Sequence, residues 1–232
     1  MSIAVIIPVL NEQDVLPSLL NTLLPLGFEE VILVDGKSQD RSVEVAKTCL
    51  KTLCHPYYRI ISGPKGRATQ MNAGAAQATA DILLFLHADT QLPHNARNAI
   101  EEALSNSQGV GGRFDVRFPQ DRGYAWMVSR MMNHRSRLSG ICTGDQAMFV
   151  RRVVFESMGG FADMPLMEDI EFSRRLKRRG IVVALKDTVI TSFRRWEQQG
   201  PLRTILRMWF LRFFYWVGWD PQRLQQYYNH AR

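Results

Sequence analysis

Four short clusters hold the residue types that could do chemistry in this chain. Asp35-Gly36-Lys37-Ser38-x-Asp40 offers a carboxylate beside a glycine turn, able to hydrogen-bond a base or a ribose; the plainer reading is a strand-to-helix turn capped by Asp40. Lys65-Gly66-Arg67-Ala68-x-Gln70-x-Asn72-x-Gly74 sets two cations around a glycine at a predicted helix start, where backbone N–H groups and the dipole already favour anions. That suits a diphosphate cradle. A Walker loop is excluded by the glycine spacing and by the missing Lys-Ser/Thr pair, and a solvated basic helix start is the alternative. Phe85-Leu86-His87-Ala88-Asp89-Thr90 ends an apolar run in a carboxylate able to hold a hard divalent cation, unless it is only a buried strand closing in a polar turn. In Met167-Glu168-Asp169-Ile170-Glu171 the acids complement a helix dipole, with Arg174, Arg175, Lys177, Arg178 and Arg179 at the far end. Asp169 nevertheless shares a helical face with Phe172 and Leu176, and burial there would raise its pKa toward that of a working base.

The elements that must position these clusters follow from periodicity. Apolar runs at residues 3–9, 31–34, 59–61 and 82–86 alternate with helical patterns at 14–24, 41–51, 68–78 and 95–105. Four strand–helix units in succession predict an α/β fold with a parallel sheet covered by helices, and ligands beyond the carboxyl ends of its strands. Those ends carry residues 8–12, 35–40, 63–67 and 87–90, all polar or rich in turn formers. Beyond residue 108 the spacing changes: strands are predicted at 111–118, 146–150, 181–185 and 189–192, and helices at 124–137 and 168–179. The reading is one domain over 1–200, in two halves, 1–108 and 109–200. A helical aromatic tail follows at 201–232.

Composition bounds the class. The 232 residues are 46% hydrophobic and 22% charged, enough for a substantial core. Cys49, Cys54 and Cys142 are odd in number and form no Cys-x-x-Cys, which argues against a disulfide framework or a structural zinc and predicts reduced, mostly buried thiols. The start reads as a first strand and not a signal peptide, and no uncharged apolar run reaches spanning length, so a cytoplasmic location is expected. Residues 1–116 hold 9 Lys+Arg against 12 Asp+Glu, net −3; residues 117–232 hold 20 against 10, net +10. The basic half predicts an anionic partner: phosphate, nucleic acid or a lipid surface.

Taken in order, Pro8-Val9-Leu10-Asn11-Glu12, Asp35-Gly36-x-Ser38-x-Asp40, His87-Ala88-Asp89 and Glu168-Asp169 resemble the signature of the family 2 glycosyltransferases, over roughly residues 3–196. The resemblance implies a GT-A nucleotide-diphospho-sugar transferase fold and an inverting single displacement. It implies Pro8, Asn11, Glu12 and Asp35 around the nucleoside, with His87 and Ala88 also on the donor side, and Lys65 and Arg67 near the phosphates. Asp89 would hold Mn²⁺ or Mg²⁺, Asp169 would be the catalytic base, and Glu168, Arg195 and Trp196 would face the acceptor. Uridine donors are favoured by the family's habits. Two departures stand out. His87 replaces the first acid of Asp-x-Asp, where imidazole serves as a metal ligand or a partner for ribose. Ser192-x-x-Arg195-Trp196 lacks the glutamine of processive members, so single-sugar transfer is expected. Two other classes fit the sequence less well. A sugar-phosphate nucleotidyltransferase would need glycine and a cation in residues 8–12, which have neither. A non-catalytic membrane- or nucleic-acid-binding module rests only on the basic half, and no nucleic-acid partner is expected.

The tail leaves two readings open. Residues 202–217 are apolar nearly all round, with Arg203 and Arg207 on one face and Arg212 toward the other. Either the segment is a core helix closing the acceptor side, or part of its aromatic surface meets the cytoplasmic face of a membrane or a lipophilic acceptor.

Overall fold

The computed structural model describes residues 1–52, 58–106 and 108–229. Cys54 lies outside them, as does the side chain of Arg195. Strands β1 (Ile3–Val9), β2 (Glu30–Asp35), β3 (Tyr58–Ser62) and β4 (Ile82–Phe85) alternate with helices α1 (Leu16–Leu23), α2 (Ser42–Thr52) and α3 (Arg67–Gln77). There follow β5 (Thr90–Gln91), α4 (Ala96–Ala103), β6 (Gly109–Arg117), α5 (Tyr124–Ser139), β7 (Met148–Arg151), α6 (Arg152–Ser157) and α7 (Glu168–Leu176). The chain continues through β8 (Ile181–Thr191), α8 (Arg194–Gln199), α9 (Pro201–Trp216) and α10 (Pro221–Asn229).

The strands form one sheet in the order β3-β2-β1-β4-β7-β6-β8-β5. The first four are parallel, β7 runs antiparallel between β4 and β6, and β8 pairs parallel with β6. Parallel strands covered on both faces read as unbroken apolar runs, and β1, β2 and β4 do. Along β1 the pleat sends Ile3, Val5, Ile7 and Val9 to one core with Leu16, Leu20 and Leu50. Ala4 and Ile6 go to the other, with Met71, Phe155, Phe161 and Phe172. Helix α3 lies close on the sheet because Gly74 has no side chain: a Cβ there would come within 2.5 Å of Ile6.

Several predicted boundaries move. The first helix begins at Leu16, after a turn in which the Val15 and Leu16 N–H groups donate to the Glu12 carbonyl, and tightens into a 3₁₀ turn at Leu24–Leu26 that contains Pro25. The strands predicted at 181–185 and 189–192 are one strand. The pairing of Arg113 with Ala184 and of Asp115 with Thr188 makes residues 185–187 a bulge and not a break. The tail is two helices, separated at Gly218 (φ 95°). The short elements β5, α6 and α8 carry too few residues for a period to show.

Candidate active site

The β1 and β2 ends are stitched together before they meet the rest of the site. Asp35 accepts from the Lys37 and Ser38 N–H groups, Ser38 Oγ accepts from Asn11 N at 3.0 Å, and Asn11 Oδ1 accepts from Gln39 N at 2.8 Å. Asp40 accepts from Ser42 N and Oγ and from Gln13 N; because α2 starts at Ser42, Asp40 lies one residue before the N-cap position and closes a turn there without capping the helix. The Gln70 side chain, buried under these loops, donates to the carbonyls of Val9 (2.9 Å) and Val34 (2.7 Å). Asn72 clasps Phe161 in both directions, Nδ2 to its carbonyl and Oδ1 from its N–H. Most polar groups of the 65–74 cluster therefore hold strands and loops in place. Lys65 is exposed, and only Arg67 of its two cations reaches the cavity described next.

A cavity of about 520 Å³ opens beyond β4. Arg67, His87, Thr143, Gly144, Asp145, Glu168 and Asp169 give its polar side. Its apolar walls come from α5 (Val128, Met131, Met132), the approach to α7 (Leu166, Met167), α7 itself (Ile170), α8 (Trp196) and α9 (Ile205, Met208, Trp209). Helix α7 places Asp169 because Phe172 and Leu176, one turn and two turns on, are anchored in the core, as the shared face predicts. Ser173 Oγ bonds the Cys142 N–H and carbonyl and fixes α7 to the 142–146 turn. From that turn the Gly144 N–H donates to Asp169 Oδ2 at 3.0 Å, and the Ile170 N–H donates to Oδ1 at 2.7 Å. Burial raises the Asp169 pKa to about 6, and the Glu168 charge adds to it, against the pull of Gly144 N–H and Arg67. Glu168 is itself buried and pairs with Arg67 at 3.5 Å.

His87 and Asp89 part company. His87 lines this cavity, its Nδ1 3.3 Å from Asp145 and its Nε2 buried without a partner among the described residues. Gly144 allows that approach, since a Cβ there would sit 2.4 Å from Nε2. Ala88 and Asp89 line a second cavity of about 600 Å³ with Asp14, Ser18, Gln91, Arg194 and Glu197. The Asp89 carboxylate carries one long hydrogen bond, from Thr90 Oγ1 at 3.4 Å, and so keeps lone pairs for a hard cation. The described residues hold no group of three metal-ligating side chains, so a cation here would need oxygens from a bound phosphate. Pro8, Asn11, Glu12, Asp35 and Lys65 lie at strand ends outside both cavities. Trp196 stacks on Phe193 with rings 8° from parallel and forms part of the cavity wall.

Sequence reasoning missed Asp145, Gly144 and Arg135, all cavity residues. The one available signal was Thr143-x-x-Gln146, a capping-box pattern that the structure realises. Of the non-glycine residues with left-handed backbone, Met167 (φ 71°) lines the cavity and Ala147 (φ 45°) follows the 142–146 turn, whereas Asn11 (φ 56°) and Lys37 (φ 68°) shape the loops after β1 and β2.

The comparisons with known proteins agree with this architecture. The fold is that of GT-A glycosyltransferases: a mannosyltransferase from Pyrobaculum calidifontis, solved in complex with GDP-Man and Mn²⁺, superposes with a TM-score of 0.64 at 19% identity, over 81% of this chain and 56% of that one. The family model for glycosyl transferase family 2 matches residues 4–158, and the chain belongs to that family. Similar proteins include the probable glycosyltransferase YdaM of Bacillus subtilis, 26% identical over 85% of this chain, and an undecaprenyl-phosphate 4-deoxy-4-formamido-L-arabinose transferase of Pseudomonas paraeruginosa, 30% identical over 67%. The chain spans 50% and 49% of those two proteins' own length. The family match stops short of Glu168-Asp169, so the role of this pair rests on the geometry.

Proposed function

We propose that the chain transfers one sugar from a nucleotide diphosphate donor to a hydroxyl of a lipophilic acceptor, with inversion and with Asp169 as base. The observation that carries this reading is Asp169 itself. It is a carboxylate pinned by two backbone N–H groups, with a pKa raised to about 6, set where a polar floor meets apolar walls. A base near neutrality accepts a hydroxyl proton readily. The acceptor oxygen gives its proton to Asp169 and its lone pair to the anomeric carbon. The bond from that carbon to the phosphate oxygen breaks, and its electron pair leaves with the nucleoside diphosphate. Arg67, the cation of the 65–74 cluster that lines the cavity, would meet the negative charge that develops there. Asp89, which lines the neighbouring cavity two residues on from His87, is the residue that would hold Mn²⁺ or Mg²⁺, and a cation shared there with the donor diphosphate would supply further positive charge for the leaving group.

The lipophilic acceptor is inferred from the cavity walls and from the outer face of α9. Leu202, Leu206, Trp209, Phe213 and Trp216 fall at spacings of four and three residues and are 63%, 69%, 63%, 56% and 71% exposed. The opposite face is fixed by Leu211, Met208 and Tyr215 against Met167, Ile170 and Leu224. An exposed stripe of Trp, Phe and Leu on a basic, amphipathic helix suits a position in a membrane surface, and among the described residues no helix is long and apolar enough to cross a membrane. The relative from Pseudomonas paraeruginosa, whose name places undecaprenyl phosphate among its substrates, supports the reading.

A panel of uridine and guanosine diphosphate sugars, titrated by calorimetry with and without Mn²⁺, tests the donor side. The expected result is saturable binding that Mn²⁺ strengthens in the parent and not in Asp89→Ala. Equal affinity in all four combinations would remove the metal from the reading, and no binding at all would remove the donor.

A further inference from the structure

The cavity contains a cation that the reaction just described does not use. Arg135 projects from α5, and its Nε and Nη2 atoms are shielded from solvent and hydrogen-bond to nothing among the described residues. Shielded guanidinium nitrogens without acceptors are costly, and such groups are normally satisfied by an anion. The acids nearby do not meet that need. None of them is a hydrogen-bond partner of these nitrogens: each Asp169 oxygen accepts one backbone N–H, from Gly144 or Ile170, Glu168 pairs with Arg67, and Asp145 lies against His87. Burial pushes the Arg135 pKa below its ordinary value and Arg113 adds to that, while Asp169 and Asp145 act through space to favour its charge.

The helix that carries Arg135 is firmly placed. Two residues on, Arg137 bonds the Asp115 carboxylate at 2.6 Å and the Ala184 and Leu185 carbonyls at 3.0 Å, which ties α5 to the bulged edge of β8. Asn133, two residues before, exchanges hydrogen bonds with the backbone of Val116. Arg135 is therefore held at the cavity by its neighbours on the helix. Met131, Met132, Ile205 and Met208 line the same cavity. Apolar walls, a poised base and an unsatisfied guanidinium together describe the complement of an amphiphile with an acidic head.

We propose that the acceptor bound in this cavity is an amphiphile carrying a phosphate-like group, and that Arg135 is the residue that recognises that group. The proposal deepens the function given above and rests on it for the word acceptor, but its test is a binding measurement that needs no transfer.

Calorimetry with n-octyl phosphate, 1-octanol and inorganic phosphate as probes, each below its aggregation limit, separates the head from the chain. For the parent, octyl phosphate should bind about 10-fold tighter than either other probe, in line with a charge-assisted pair added to apolar contact. Arg135→Gln should bring octyl phosphate to the level of octanol, and Arg135→Lys should keep part of the preference, since a point charge replaces the planar fork. UDP and GDP titrations of the same variants should stay within about twofold of the parent, which also shows that they are folded. Three results would overturn the proposal: octyl phosphate no better than octanol on the parent, inorganic phosphate equal to octyl phosphate, or an Arg135→Gln variant that loses nucleoside diphosphate binding instead. The last would place Arg135 at the leaving group. Failure of the parent to bind any nucleoside diphosphate would count against the donor reading and leave the octyl phosphate comparison to stand or fall separately.

Discussion

At the scale of single residues, Glu168 and Asp169 divide one job. Both line the cavity; Glu168 is paired with Arg67, and its charge helps hold the Asp169 pKa up. If Asp169 is the base, kcat/KM should rise with pH through about 6 and then level off, because only the carboxylate accepts a proton. Glu168→Gln removes a negative neighbour and frees Arg67, and both changes favour the anion. The acidic limb of the profile should then move to lower pH, and an unmoved limb would separate Glu168 from the titration. Asp169→Asn should abolish most transfer and leave donor binding intact. It should also stabilise the fold in one pH window. Burial holds the Asp169 pKa up at about 6 in the native state, against the ordinary 3.8 when unfolded, so between those values the native state binds more protons and stability falls as pH rises. An uncharged isostere escapes that loss. The variant should melt higher than the parent at pH 7.5 and not at pH 3.5, and differential scanning calorimetry at the two values decides. Asp169 was legible because its spacing to Phe172 and Leu176 is local. Asp145 and Arg135 were not, since nothing in a linear pattern brings them from separate elements to residue 169.

Among the elements, the loops at the strand ends owe their shape to a few buried amides. The Gln70 side chain bridges the Val9 and Val34 carbonyls at the ends of β1 and β2, the two strands that lead into the Pro8–Glu12 and Asp35–Asp40 clusters. Gln70→Leu keeps the volume and removes both bonds, so it should cost about 1–3 kcal/mol. It should also weaken nucleoside diphosphate binding more than it weakens octyl phosphate binding. Urea unfolding and the two titrations check this, and a variant as stable as the parent would show that the strands hold their spacing without it. This layer also shows where sequence patterns stop. Periodicity found the parallel half because each strand–helix unit is self-contained along the chain. The antiparallel insertion of β7, the bulge in β8 and the 142–146 turn are set by pairing between distant segments, and a one-dimensional period cannot register them.

For the whole molecule, charge and aromatic surface point the same way. The net +10 lies in residues 117–232, which include α9 and its exposed stripe. Of the two readings of the tail, the geometry combines parts of both: one face of α9 packs on α7 and α10 and walls the cavity, and the other stands outside. With liposomes, the parent should sediment with anionic vesicles at low salt and release as salt rises. Replacing Trp209, Phe213 and Trp216 with serine should reduce binding at unchanged melting temperature. A parent that stays in the supernatant would make the stripe an interface with something other than lipid.

That two-faced helix has a kinetic consequence. If its outside rests on a bilayer while Ile205 and Met208 line the acceptor cavity on its inside, a lipid acceptor would enter sideways and never cross bulk water. Turnover would then follow the mole fraction of acceptor in the membrane plane. Adding inert lipid at a fixed total acceptor concentration would slow the enzyme by surface dilution, whereas an acceptor drawn from solution would give a rate indifferent to how much vesicle surface is present.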